Sequence, residues 1–176
     1  SKLSNYHFVT HKDYKKRLIQ LGEEKKNIFL VGSLGVQNFI SASKRSRIKI
    51  FKRYQIPENK KVVLVTFHPE TNSSISIIKQ IDILIHSLKF FKNLYFIITY
   101  NNMDSGGLYF INKLKALNKK YQNFLLLKSL GSNLYYEFIE NVDLVMGNSS
   151  SGIIEVPSSK TPTLDIGTRQ LGRVKS

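Results

Sequence analysis

The sequence lacks cysteine altogether, and its 176 residues contain no apolar run long enough to cross a bilayer. Without cysteine the chain forms no disulfides, offers no thiolate nucleophile and has no ligands for a cysteine-type zinc cluster. A membrane-spanning helix needs roughly 18 or more apolar residues, so no membrane partner is expected. The start of the sequence shows no signal-peptide pattern either, and we predict a cytoplasmic protein.

Several motifs of common enzymes are also missing. The sequence has no GxxxxGK[ST] loop, no GxGxxG after a predicted strand and no GxSxG turn. A P-loop nucleotidase, a nicotinamide-dependent enzyme and an α/β-hydrolase are therefore unsupported. His68 and Glu70 are near each other in sequence, but no third metal ligand follows at a recognisable spacing, so no metal is predicted.

Acidic residues are scarce, with 12 Asp and Glu against 27 Lys and Arg and a net charge of +15. Such an excess is often found in nucleic-acid-binding proteins. Here, however, only six of the basic residues are arginine, and the lysines are scattered as pairs rather than gathered in one tract. We therefore predict no nucleic-acid partner and keep a basic nucleic-acid-binding module as the alternative of another class. The charge would also attract an anionic ligand.

Strand-like and helix-like segments alternate along the chain. The apolar run Lys61–Thr66 predicts a strand buried on both faces, and apolar residues at helical spacing predict a helix over Ser74–Phe91. The other predicted strands are Tyr6–Thr10, Ile28–Val31, Leu94–Thr99, Phe124–Leu127, Asp143–Met146 and Thr163–Ile166. The other predicted helices are Lys12–Leu21, Leu108–Lys120, Leu134–Asn141 and a largely helical stretch over Val36–Tyr54. This order predicts an α/β fold with a parallel sheet and helices on both faces, preceded by a hinge near Gly32–Ser46.

Three polar loops follow predicted strands: TFHPET, YNNMDSGG and GNSSSG. Because the carboxyl ends of parallel strands meet at one edge of a sheet, these loops are expected to border one ligand cleft. The side chains expected to share that cleft are His68, Asn102, Asp104, Ser149, Ser150, Glu155 and Arg169.

The stretch Gly147–Gly172 has the composition of an anion site. Serine hydroxyls and the free N–H groups of a helix start favour negative charge, and Arg169 offers a planar fork of donors. His68 can donate to a phosphate or act as an acid–base group. The alternative is an ordinary serine-capped loop, with His68 bonded to a carbonyl, Asp104 forming a turn, Glu155 at a helix end and Arg169 on the surface.

At these residues the chain resembles the UDP-N-acetylglucosamine 2-epimerase family, above all the hydrolysing branch that begins bacterial sialic-acid synthesis. Six segments carry the resemblance, in family order and over nearly the whole chain: LSNYHFVTHKDYKKRLIQLGE, VGSLG, TFHPET, NNMDSGG, GNSSSGIIEVPS and PTLDIGTRQLGR. The resemblance implies two Rossmann-like domains of the GT-B type, with the nucleotide held mainly by the second domain. It also implies a homodimer, a UDP-sugar substrate and no metal or dissociable redox cofactor.

The resemblance assigns roles to individual residues. The expected diphosphate ligands are Ser149, Ser150, His68 and Arg169. Glu155 is expected to bind the ribose hydroxyls and the Leu130 backbone the uracil, and Gly152 is expected to contact substrate. Asn102 and Asp104 are expected to face the nucleotide and the interdomain cleft, with His68 and Asp104 as the catalytic groups.

The family reaction eliminates UDP across C1 and C2 of the sugar, and hydrolysing members then add water to the glycal. The expected conversion is UDP-N-acetylglucosamine to UDP and N-acetylmannosamine. The alternatives are a UDP- or GDP-linked diacetylbacillosamine substrate, or a GT-B glycosyltransferase domain. Because family members are about twice as long, we expect a fragment that is inactive alone. It would hold the end of the N-terminal domain and the hinge in residues 1–35, and a truncated nucleotide-binding domain in residues 36–176.

Overall fold

The computed structural model describes residues 3–42, 45–100 and 106–174. Within them the chain forms a two-stranded and a five-stranded parallel sheet. The first sheet holds β1 (His7–Val9) and β2 (Ile28–Leu30). The second holds β3 (Lys61–Thr66), β4 (Leu94–Tyr100), β5 (Phe124–Lys128), β6 (Leu144–Gly147) and β7 (Thr163–Asp165), in the order β5-β4-β3-β6-β7.

The helices are α1 (Lys12–Gln20), α2 (Leu34–Ser41), α3 (Arg47–Tyr54), α4 (Ile77–Leu88), α5 (Gly107–Lys120), α6 (Gly131–Asn141) and α7 (Ser151–Ile154). Short 3₁₀ turns occur at Lys25–Asn27 and Val156–Ser159. The predicted helical stretch over Val36–Tyr54 is two helices, because Ala42 and Ser46 have extended backbones that end α2 and precede α3. The predicted helix over Ser74–Phe91 begins only at Ile77, where the Ser76 side chain accepts a hydrogen bond from Lys79 N–H and caps α4.

The five-stranded sheet is buried on both faces, as its apolar strands predict. Along β3, Val62 and Leu64 point into one core layer, while Val63 and Val65 point into the other. The first layer is completed by α2, α3 and α6, and the second by α4 and α5. Since successive side chains of a strand alternate between faces, this partition confirms a parallel sheet covered by helices on both sides.

The direction of the chain through the sheet reverses at β3. The chain runs outward from β3 to β5, then returns to form β6 on the other side of β3. The carboxyl ends of β3 and β6 are therefore the topological switch point, where ligands bind in open α/β sheets. Gly147 allows the two strands to meet there, because a Cβ atom at this position would collide with the Thr66 carbonyl.

The two-stranded sheet stands apart from the larger one. Phe8 and Phe29 stack on its exposed side with ring centroids 5.4 Å apart, whereas α2 buries Phe39 in the core of the five-stranded sheet. The predicted domain division after residue 35 remains a prediction. Among the residues that the structure describes, no helix is both long and apolar enough to span a membrane.

Candidate functional site

A cavity of about 360 Å³ opens at the carboxyl edge of the five-stranded sheet, beside the start of α6. Three of the predicted site residues line it: His68, Leu130 and Glu155. They come from the loop after β3, the turn after β5 and the segment after β6. The sheet therefore brings together residues that are up to 87 positions apart in sequence, at the switch point where a ligand is expected.

Residues that line this cavity carry buried polar atoms that are poorly satisfied. The hydroxyls of Tyr135 and Ser151 and the Oε2 atom of Glu155 make no hydrogen bond of good geometry in the described part of the chain. Burial raises the pKa of Tyr135 above its usual value, more strongly than weak hydrogen-bond contacts with the Ser151 and Thr66 side chains lower it, so the phenol remains a donor. A buried polar group left unpaired costs about 1–3 kcal/mol. Three such atoms in residues around one cavity favour a polar ligand there.

Glu155 lies where the α-helix after β6 gives way to a 3₁₀ turn. Helix α7 has only four residues, and Pro157 follows in the 3₁₀ turn, where its missing N–H prevents the α-helix from continuing. The predicted anion-binding helix start is therefore very short, and its dipole contributes less than the sequence suggested. Side-chain hydroxyls and the backbone of the turn carry most of the polar character there.

The first turn of α2 closes one side of the Glu155 carboxylate. Gly35 lies so near that a Cβ atom there would overlap Glu155 Oε1. The Tyr136 hydroxyl donates to the Gly35 carbonyl at 3.5 Å. The VGSLG segment thus packs directly against a residue of the cavity, and a side chain at position 35 would displace the carboxylate.

His68 and Arg169 are connected through Asn148 rather than through the cavity. Asn148 is fully buried, and its side chain accepts from His68 N–H at 2.8 Å and donates to the His68 carbonyl at 2.7 Å. Arg169 is exposed and donates from Nη1 to the Asn148 carbonyl at 3.0 Å. Arg169 therefore borders the same edge of the sheet without lining the cavity at the switch point.

The other predicted site residues lie near this cavity or outside the residues that the structure describes. Ser149 and Gly152 line a much smaller neighbouring cavity, and Ser150 immediately precedes α7. Gly152 also lets α7 approach β7, because a Cβ atom there would be 3.0 Å from Thr163 Cγ2. Asn102 and Asp104 lie outside the described residues. The ligand roles assigned to all these residues remain predictions.

Several residues of the cavity were not singled out from the sequence. Tyr135 lies in α6 beside Tyr136, and a tyrosine pair in a helix is typical of core packing. Thr66 ends β3 and Thr99 is the penultimate residue of β4, and their hydroxyls are 2.8 Å apart at the cavity wall. Ser151 was expected to be a hydroxyl donor together with Ser149 and Ser150, but nothing in the sequence indicates which of the three serines turns inward.

The chain has clear relatives among known proteins. The model of the family described as UDP-N-acetylglucosamine 2-epimerase matches residues 1–176. The chain is 41% identical over 176 residues to the polysialic acid biosynthesis protein P7 of Escherichia coli, covering 99% of this chain and 44% of that protein. It is 38% identical over 178 residues to the GDP/UDP-N,N'-diacetylbacillosamine 2-epimerase (hydrolyzing) of Campylobacter jejuni, covering 100% and 46%. The chain thus spans less than half the length of these relatives.

Solved structures of low sequence identity share the fold. A structure of S. aureus MnaA with UDP has a TM-score of 0.72 at 16% identity, over 93% of this chain and 43% of that one. The UDP-GlcNAc 2-epimerase from Neisseria meningitidis, bound to UDP-GlcNAc, has a TM-score of 0.60 at 18% identity, over 93% and 44%. The predicted Rossmann-like sheet as one half of a GT-B-type fold is confirmed. By sequence along its whole length, the chain belongs to the UDP-N-acetylglucosamine 2-epimerase family.

Proposed function

We propose that this chain is the nucleotide-binding half of a hydrolysing UDP-N-acetylglucosamine 2-epimerase, which converts UDP-N-acetylglucosamine to UDP and N-acetylmannosamine. The observation that carries the proposal is the set of buried, unpartnered polar atoms at the cavity. A nucleoside diphosphate complements them. Its ribose hydroxyls can donate to the carboxylate of Glu155, and its phosphate oxygens can accept from the hydroxyls of Tyr135 and Ser151.

The diphosphate is the leaving group of the proposed reaction. When the bond between sugar C1 and the diphosphate oxygen breaks, negative charge develops on UDP, and fixed donors lower the barrier by stabilising that charge. We assign this task to His68, Ser149, Ser150 and Arg169. The net charge of +15 favours the approach of such an anion.

The chain spans 44–46% of the curated relatives quoted above, so the activity of the whole protein is a proposal from its family. In this proposal the remaining catalytic groups belong to the other domain, and the chain alone binds UDP without turning over the UDP-sugar. Asp104 and Asn102 keep their proposed place facing the interdomain cleft.

A nucleotide-linked diacetylbacillosamine is the second candidate substrate. The Campylobacter jejuni relative, named for this sugar, is 38% identical, close to the 41% of the Escherichia coli polysialic acid protein. Assays of the full-length parent protein with both nucleotide sugars decide between them. An enzyme specific for one sugar releases the nucleoside diphosphate much faster from that substrate than from the other.

Calorimetric titration of the full-length parent protein with UDP tests the binding site. Arg169→Ala and the double change Ser149→Ala with Ser150→Ala should each weaken UDP binding by about 10-fold or more, since each removes donors to the charged diphosphate. Arg53→Ala is the matched control, because it removes an exposed arginine from α3 that does not line the cavity.

Two outcomes would contradict the proposal. A folded parent protein that does not bind millimolar UDP would refute the nucleotide site. Undiminished affinity in the Arg169 and serine variants would refute their assigned roles. Salt-sensitive binding of nucleic acid that UDP does not displace would instead support a basic nucleic-acid-binding module.

A further inference from the structure

We propose that Glu70 and Asn148 are positioning residues of the nucleotide site. Through hydrogen bonds they hold three loops in one arrangement: the loop after β3 with His68, the turn after β6, and the loop after β7 with Arg169. Neither lines the cavity at the switch point. This inference rests on the proposed function, because in that proposal the three loops bind the diphosphate.

Asn148 uses every polar group that it has to connect these loops. Its amide side chain forms the two-point pair with the His68 backbone, and its own N–H donates to the Thr66 carbonyl at 3.2 Å. Its carbonyl accepts from Arg169 Nη1 at 3.0 Å and from Gln170 Nε2 at 2.7 Å. The residue is 0% exposed, so water cannot replace these bonds without a rearrangement.

Glu70 ties the loop after β7 to the loop after β3. Its Oε1 atom accepts from the N–H groups of Thr168 and Arg169, both at 3.1 Å, and its Oε2 atom accepts from the Thr168 hydroxyl at 2.9 Å. Its backbone is itself held by the Gln80 side chain, which accepts from Glu70 N–H at 2.8 Å and donates to the Glu70 carbonyl at 2.9 Å. The carboxylate is therefore anchored to α4 and fixes the backbone from which Arg169 extends.

The chemistry of both side chains suits positioning better than ligand binding. A carboxylate beside an anion site would repel a diphosphate, but both oxygens of Glu70 already accept donors from the loop after β7. A backbone N–H and a carbonyl on one residue require a partner that both donates and accepts, which an amide does and a carboxylate does not. Asn148 meets this requirement at His68.

Gly167 is part of the same arrangement. Its backbone has a φ of +79°, in the left-handed region that favours glycine, and a Cβ atom there would be 2.7 Å from Glu70 Oε1. A side chain at position 167 would therefore force the carboxylate away from the Thr168 and Arg169 N–H groups. The GTRQ sequence thus combines a turn that needs glycine with the arginine that the turn presents.

The test compares affinities for UDP and uridine in the full-length parent protein, measured by NMR titration, which covers millimolar dissociation constants. Asn148→Asp and Glu70→Gln should each weaken UDP binding at least 10-fold while changing uridine binding less than 2-fold, because the displaced loops serve the diphosphate. A merely structural role would lower the melting temperature without changing the ratio of the two affinities.

Matched controls are available at the opposite edge of the sheet. Asn123→Asp changes another buried asparagine that donates to two backbone carbonyls, at the amino end of β5. Glu58→Gln removes an exposed carboxylate before β3. Asn123→Asp should lower the melting temperature, and both controls should leave the ratio of UDP to uridine affinity unchanged.

The outcomes separate this inference from the proposed function. If the wild-type protein fails to bind UDP, the nucleotide site itself is refuted. If it binds UDP and the folded Glu70→Gln variant binds equally well, the positioning role is refuted while the nucleotide site stands. If Asn148→Asp does not fold, the Glu70→Gln variant still tests the inference.

Discussion

The two edges of the five-stranded sheet differ in how their buried polar groups are satisfied. At the amino edge, the carboxylate of Asp143 accepts from Val62 N–H at 2.8 Å and pairs with Arg47 at 2.9 Å and Lys61 at 3.1 Å. Asn123 at the same edge donates to two backbone carbonyls. These groups form their hydrogen bonds within the chain, which stabilises the fold.

At the carboxyl edge, polar atoms are buried without partners in the described part of the chain. The hydroxyls of Tyr135 and Ser151 and the Oε2 atom of Glu155 belong to residues that line the cavity, although the buried Asn148 at the same edge is fully hydrogen-bonded. The amino edge thus contributes stability, and the unsatisfied atoms at the carboxyl edge fit the binding site that we propose there. Changes at the amino edge should therefore affect folding alone, and changes at the carboxyl edge should affect ligand binding.

The largest effect is expected for Asp143→Asn. The variant loses charge-assisted hydrogen bonds, so we expect the free energy of unfolding at pH 7 to fall by about 2 kcal/mol, with UDP affinity unchanged. Urea denaturation and calorimetric titration measure the two quantities. Glu58→Gln is the control, because that carboxylate is exposed before β3, and its loss should change stability far less. Weakened UDP binding in Asp143→Asn would break the distinction between the edges.

The same variant has a defined pH dependence. Burial raises the pKa of Asp143, but the Val62 N–H and the Arg47 and Lys61 cations together outweigh it, so the pKa lies below its ordinary 3.8. A depressed pKa in the folded state stabilises the fold above pH 3.8 and ceases to do so as the pH falls through the folded value. The stability gap between wild type and Asp143→Asn should therefore close below that pH.

Glu155→Gln is expected to have an intermediate effect, on binding. A neutral amide accepts from ribose hydroxyls less strongly than a carboxylate, so UDP affinity should fall about 10-fold, or about 1.4 kcal/mol. The free energy of unfolding should stay equal or rise, since the Oε2 atom of Glu155 is buried without a partner and the variant loses no hydrogen bond there. An unchanged UDP affinity with a clear loss of stability would show that this carboxylate serves the fold.

The smallest effect is expected for Tyr135→Phe, which removes only the unpartnered hydroxyl. UDP affinity should fall about 5-fold, near 1 kcal/mol, while the melting temperature should not fall. Tyr109→Phe is the matched control, because its hydroxyl donates to Asp82 at 2.9 Å, away from the cavity. If Tyr135→Phe destabilised the protein as a lost internal hydrogen bond does, the contrast between the edges would need revision.

The fold was predictable because its strongest signals are local. The apolar run of β3 was placed at Lys61–Thr66, as the structure has it, since a strand covered on both faces must be apolar throughout. Helix ends were less predictable, because they depend on caps: α4 begins after Ser76, and α6 begins at Gly131 rather than at Leu134.

The candidate site was predictable where a residue belongs to a loop or segment that follows a strand, as His68, Leu130 and Glu155 do. His68 is the second residue after β3. Because β3 pairs in parallel with its neighbours, His68 lies at the carboxyl edge of the sheet. Tyr135 lies in the middle of a helix, and its exposure to the cavity depends on how α6 packs over the sheet. Asn102 and Asp104 lie outside the described residues, so their predicted place stays untested.

The sequence by itself determined the α/β class, the parallel sheet and the edge at which polar loops gather. Apolar periodicity is a local property, and the alternation of strands and helices follows from it. The segments of the sequence also indicated the family. Tertiary structure alone decided which polar atoms remain unpaired. Whether Glu70 and Asn148 face a ligand or bind other loops depends on contacts between residues 80 to 100 positions apart, which no local pattern encodes.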